Sequence, residues 1–167
     1  AYQVAQVQPM KLAAMEALYN GGKGESLTAI AAVHPFRQPD YESEQEPAMR
    51  IAIPNMLSFL ATRTANGYVP GVNNILNGYT KEDGTREPSV QEKIARGKKA
   101  IVALKTYRET KAQDQLPILK ENMKYFGYGY IKDAKELVPS IPICFYAFRL
   151  MVGVGCLLIL FFALSLF

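Results

Sequence analysis

The stretch from Phe145 to Phe167, FYAFRLMVGVGCLLILFFALSLF, decides how the rest of the chain is read. From Leu150 onward it runs for 18 residues without a charge, which reaches the length of a membrane-crossing helix and exceeds that of most buried core helices. The mean hydropathy of the whole chain, -0.03, hides this. All 15 acidic residues and all but one of the 19 basic ones lie before Pro139. The sequence thus divides into a polar region, 1–138, and a transmembrane helix, 139–167. The span lies at the C-terminal end without a small-residue cleavage pattern, so it is not a signal peptide. An apolar run that reaches the last residue, together with the lack of an initiator methionine, gives the expectation of a piece of a larger helical membrane protein.

Arg149 is the one charge in this tail. An arginine inside an apolar span costs about 2.5 to 3.5 kcal/mol unless it is paired or reaches the interface. If the helix meets the membrane near Ile143, Arg149 lies about 9 Å along it, at 1.5 Å per residue, and its long side chain can snorkel. Met151 points roughly 200° away, to the opposite face. A methionine there is ordinary packing, or a thioether able to ligate haem iron. Gly153 and Gly155 would let a helix or a macrocycle come close.

The polar region reads as short helices joined by long loops, with no alternating strand pattern. The first helix is expected from Gln8 to Tyr19, with Pro9 in its first turn and the NGGKG run ending it. Residues 35–47, PFRQPDYESEQEP, read as a linker. A second helix is expected from Pro54 to Thr64, within MRIAIPNMLSFLATRT, and residues 71–88 are expected to be loop. Ser89 and Glu92 form a capping box that opens a third helix, with Ile94, Ile101 and Leu104 on its apolar face. A last helix is expected from Pro117 to Phe126. The fold class is therefore mainly α, an extramembrane loop region followed by one transmembrane helix.

On the opening helix Leu12, Met15 and Tyr19 form an apolar stripe with Lys11 at one edge and Glu16 at the other. Five residues apart, the two charges stand roughly 140° around the helix and cannot pair with each other. They are left free to meet a ligand. A flat apolar ring with oxygens at both ends fits such a strip, the lysine donating and the carboxylate accepting a proton.

Other chemistries find little support. The basic and acidic residues interleave, so the net charge of +4 makes no nucleic-acid patch. Cys144 and Cys156 are too far apart on one helix to bridge. His34, the only histidine, reads as a solvated loop residue, and one histidine assembles no zinc site or catalytic triad.

Five segments, in order, resemble subunit I of the cytochrome bd quinol oxidases: VQPMKLAAMEALY at 7–19, IPNMLSFLATR at 53–63, EKIARGKKA at 92–100, GYGYIK at 127–132 and FYAFRLMVGVG at 145–155. The first is similar to the signature that opens the family's quinol-binding loop. The resemblance implies that Lys11 and Glu16 bind and deprotonate quinol, that Met151 is the axial ligand of a low-spin b haem, and that Arg149 lies near that haem. It also implies a high-spin b haem and haem d in the complete subunit, where oxygen is reduced. The implied partners are the remaining helices of subunit I, subunit II, ubiquinol or menaquinol, and the lipid bilayer. The implied location is the bacterial inner membrane, multi-pass in the complete protein, with residues 1–138 on the periplasmic side. The family's haem-binding histidines are absent from this stretch, so it is not expected to be active alone. The rival reading is a tail-anchored helical interaction module without catalytic activity.

Overall fold

The structure is a computed structural model that describes residues 2–31, 49–111 and 114–166; His34 and the expected linker at 35–47 lie outside the described residues. In chain order the elements are α1 (Tyr2–Val7), α2 (Pro9–Glu16), β1 (Gly22–Lys23), β2 (Leu27–Ala31), β3 (Arg50–Ile53), α3 (Met56–Thr62), β4 (Tyr68–Val69), α4 (Val72–Asn77), β5 (Tyr79–Thr80), β6 (Arg86–Glu87), α5 (Val90–Thr110), α6 (Gln115–Asn122), two 3₁₀ segments (Met123–Tyr130 and Ala134–Leu137) and α7 (Ile141–Ser165). They form two compact units, residues 1–73 with 139–167, and residues 74–138. The change of composition at Pro139 coincides with the return of the chain from the second unit to the first, where residues 139–167 pack with 1–73.

In the first unit the expected helix at Gln8 to Tyr19 is shorter. Pro9 opens α2, and Ala17 closes it in the left-handed conformation at φ 50°. The Leu18 amide donates back to the Ala13 carbonyl at 2.9 Å, so the chain turns before the glycines arrive. Leu12 and Leu18 pack with Leu57 and Ala61 of α3 and with Val69 of β4. Ser58, wholly buried, accepts from the Glu25 amide at 2.8 Å and donates to the Gly67 carbonyl at 2.7 Å. This fastens α3 to the chain on either side of the small β1–β4 pair. Gly21 and Gly71 let the backbones touch there, since a Cβ on Gly21 would stand 2.0 Å from the Val69 carbonyl oxygen.

Strands appear where none was expected. β2 and β3 pair antiparallel, Leu27 opposite Ile53 and Thr28 opposite Ala52, and then slip so that Ile30 faces Ile51 and Ala31 faces Arg50. The extra residue is Ala29, a bulge. Its effect is to put Thr28 and Ala31, three apart, on one buried face, and to leave Ile30 and Ile51 exposed. A regular strand cannot do this, because its faces alternate every residue.

In the second unit Ser89 caps α5, accepting from the Glu92 amide at 3.2 Å as expected. The helix packs against the 3₁₀ segment Met123–Tyr130, which takes the place of the end of the helix expected to Phe126. The segment expected as loop at 71–88 holds α4 and a hairpin of β5 and β6, turned at Asp83 and Gly84. Gly84 takes φ 78°, and Asp83 Oδ1 accepts from the Thr85 amide at 2.8 Å. Glu87 on this hairpin bonds Lys81 at 2.7 Å and Lys93 of α5 at 3.3 Å. Burial alone would raise its carboxyl, but these two cations outweigh that and hold it below the usual glutamate range.

The helix α5 reaches the 3₁₀ segment through glycine. A Cβ on Gly97 would stand 2.4 Å from the Gly129 amide nitrogen and 2.5 Å from the Tyr125 carbonyl oxygen, both backbone atoms that cannot swing aside. Gly97→Ala is therefore expected to destabilise this unit by about 1 to 3 kcal/mol, despite alanine's higher helix propensity. Thermal unfolding followed by circular dichroism checks this, and a stability equal to wild type contradicts the close approach.

Candidate functional site

Of the four residues expected to form the site, the structure brings Glu16 and Arg149 into direct contact. α2 packs along the first turns of α7, where Ile141 and Phe145 are fully buried. Arg149 Nη2 donates to Glu16 Oε2 at 3.0 Å and to the Thr28 carbonyl at 2.6 Å. Its Nη1 donates to the Met15 carbonyl at 2.6 Å and to the Phe145 carbonyl at 3.3 Å. The guanidinium also lies over the Phe145 ring, 3.5 Å from its centre. One planar fork thus fastens the end of α2, the middle of β2 and its own helix.

This changes the reading of α2. The two charges were expected at the two edges of its apolar stripe, both free to meet a ligand, with small residues leaving room for a ring. Lys11 is exposed, as expected. Glu16 is only 6 % exposed and already paired, and Ala13 and Ala14 are buried at 1 % and 0 %. The apolar face is wider than Leu12, Met15 and Tyr19, because a helix of small residues can lie close to a neighbour on several sides.

Burial sets the chemistry of Glu16. It raises the carboxyl above the ordinary glutamate range, while Arg149 next to it, the Thr28 amide and the more distant Arg50 all pull the other way. The native state therefore binds more protons than the unfolded chain in the window just above the ordinary value. The group's contribution to stability falls as pH rises through that window.

Two residues that the sequence did not single out complete the surroundings. Thr28, 5 % exposed, meets Glu16 through its amide and Arg149 through its carbonyl. Its hydroxyl accepts from Arg50 Nε at 3.0 Å. Arg50 reads in the sequence only as a charge at the head of an apolar stretch, and nothing there announces the bulge that aligns it with Thr28.

Met151 lies on the far side of α7 from Arg149, 63 % exposed. A Cβ on Gly153 or Gly155 would meet nothing within 4 Å. Among the described residues no three His, Cys, Asp or Glu gather to hold a metal ion. A soft thioether on an exposed face, followed by glycines with open space around them, is of a chemistry that could hold a haem iron. One donor is also left over on the arginine, since Arg149 Nε is buried without a partner among the described residues.

The model of the family "Cytochrome bd terminal oxidase subunit I" matches residues 1–167. The chain belongs to this family. It is similar to the cytochrome bd-II ubiquinol oxidase subunit 1 of Escherichia coli (strain K12), 30 % identical over 173 aligned positions. The match covers 99 % of this chain and 32 % of that protein, so the chain spans about a third of the length of this curated relative. Family membership supports the expected fold class, part of a larger helical membrane protein. α7 agrees with it, being long and apolar enough to cross a bilayer.

Removing one partner of a buried ion pair leaves the other charge uncompensated, at a cost of about 3 to 5 kcal/mol. Arg149→Met is accordingly expected to destabilise the protein and to move the titration of Glu16, read from its infrared carboxyl band, to higher pH. Adding Glu16→Gln should recover most of the lost stability, and strict additivity of the two changes contradicts the pair.

Proposed function

We propose that this chain carries the quinol-oxidising site of a cytochrome bd-type oxidase, on the periplasmic side of the bacterial inner membrane, with Lys11 and Glu16 as the residues that bind and deprotonate the quinol. The observation that carries this reading is the bond from Arg149 to Glu16. It ties the helix bearing both polar residues to the part of α7 that leads into Met151.

Lys11, exposed on α2, can donate to one quinol oxygen. The Glu16 carboxylate accepts the proton of a quinol hydroxyl, for which its raised affinity suits it better than an ordinary surface glutamate. Arg149 limits that rise. The Glu16 side chain is only 3 % exposed.

Met151 would hold the low-spin b haem, and Arg149 would lie near it. When bound, that haem supplies the one-electron acceptor, with a methionine ligand favouring the reduced form. The high-spin b haem, haem d and oxygen reduction belong in this reading to the remaining helices of subunit I, with subunit II as partner. The quinol is ubiquinol or menaquinol; the similar Escherichia coli protein is a ubiquinol oxidase subunit.

In the complete enzyme Glu16→Gln is expected to lower quinol oxidation by about 100-fold or more, the size of a lost general base, with haem spectra intact. Turnover at the wild-type rate contradicts the role. Met151→Leu is expected to alter or abolish the low-spin b haem spectrum, and a normal spectrum removes Met151 as its ligand.

A further inference from the structure

Arg50 stands at the start of β3, opposite Ala31, yet its guanidinium reaches back along β2 past the bulge. Nε donates to the Thr28 hydroxyl at 3.0 Å, and Nη2 donates to the Ser26 hydroxyl at 2.7 Å and the Ser26 carbonyl at 3.2 Å. A bulge leaves a strand short of ladder bonds just where it occurs. Here the arginine fork supplies three bonds across that gap. The residue so held is Thr28, whose amide meets Glu16 and whose carbonyl meets Arg149.

We propose that Arg50 is a positioning residue of the quinol site: by gripping Ser26 and Thr28 it fixes the Thr28 peptide between Glu16 and Arg149 and turns a second cation toward the carboxylate. The proposal rests on the reading of Glu16 as the quinol's proton acceptor. Arg50 bonds Ser26 and Thr28 rather than Glu16 or Arg149, and its influence on them passes through β2 and through space.

The charged groups around Glu16 come from every neighbouring element. Arg149 faces it from α7, Arg50 from β3, and the Thr28 amide from β2. Lys11 shares α2 but is exposed. Glu25, between β1 and β2, lies within the field of Arg50; burial raises its carboxyl and Arg50 partly offsets this. Arg50 thus serves two carboxylates at once, the buried Glu16 and the partly buried Glu25, and its loss leaves both more reluctant to ionise.

The test uses the complete oxidase, with quinol oxidation measured across pH and haem spectra recorded for each variant. Arg50→Gln is expected to raise KM for quinol by about 3- to 10-fold, the worth of a hydrogen bond or so. It should also shift the acidic limb of the kcat/KM profile to higher pH, with wild-type haem spectra. Arg50→Lys keeps the charge but cannot reach three acceptors, so it should restore the acidic limb and retain the KM defect. Thr28→Val removes the hydroxyl that Arg50 holds and should reproduce the KM rise, with Thr28→Ser rescuing it; this pair decides the matter if Arg50→Gln does not assemble. Wild-type KM and pH profile in Arg50→Gln, or in Thr28→Val, overturn the proposal while an inactive Glu16→Gln leaves the role of Glu16 standing. A fully active Glu16→Gln removes that role, and the proposal with it.

Discussion

An arginine near the start of an apolar helix must find acceptors or reach water, and Arg149 finds acceptors. Its two terminal nitrogens make four bonds, to Glu16, Met15, Thr28 and Phe145. Everything that positions the site follows from satisfying that one cation. α2 must end beside α7 so that the Met15 carbonyl and the Glu16 carboxylate are both in reach, and β2 must lie across them to offer the Thr28 carbonyl. A lysine could not do this, because a single ammonium lacks the planar spread of donors that reaches several acceptors at once.

The same pairing tunes the carboxylate. Taken alone, burial at 6 % exposure would favour the neutral acid. Taken alone, an adjacent guanidinium would favour a carboxylate too weakly basic to take a proton from a phenolic hydroxyl. The two act against each other at Glu16, burial being the stronger, and in the proposed reading such a base would take the proton of a quinol hydroxyl. Lys11, on the opposite side of α2, is left to solvent and to whatever binds there.

The helices were legible where local chemistry is strong. The uncharged run from Leu150 gave α7, and Ser89 with Glu92 gave the start of α5. The spacing of five between Lys11 and Glu16 told correctly that they do not pair, and their family motif marked them. That Glu16 is covered was not legible, since its partner lies 133 positions away in sequence and periodicity speaks only of one helix. The strands were illegible for a different reason. The bulge at Ala29 breaks the two-residue alternation that reveals a strand, and β1, β4, β5 and β6 are two residues each, too short to alternate at all. The hairpin at Asp83 and Gly84 did carry a turn signal, but the polar residues flanking it lack the apolar pattern that would have made it persuasive.

The central claim is that quinol binds against α2, beside the carboxylate that Arg149 holds. The most direct measurement is photo-crosslinking of the complete oxidase with a quinone carrying a photoreactive group near its ring, followed by mass spectrometric mapping with excess native quinol as competitor. The account predicts competed adducts on α2 and on β2 near Thr28. Competed adducts confined to residues 74–138, or found only outside this chain, would contradict it.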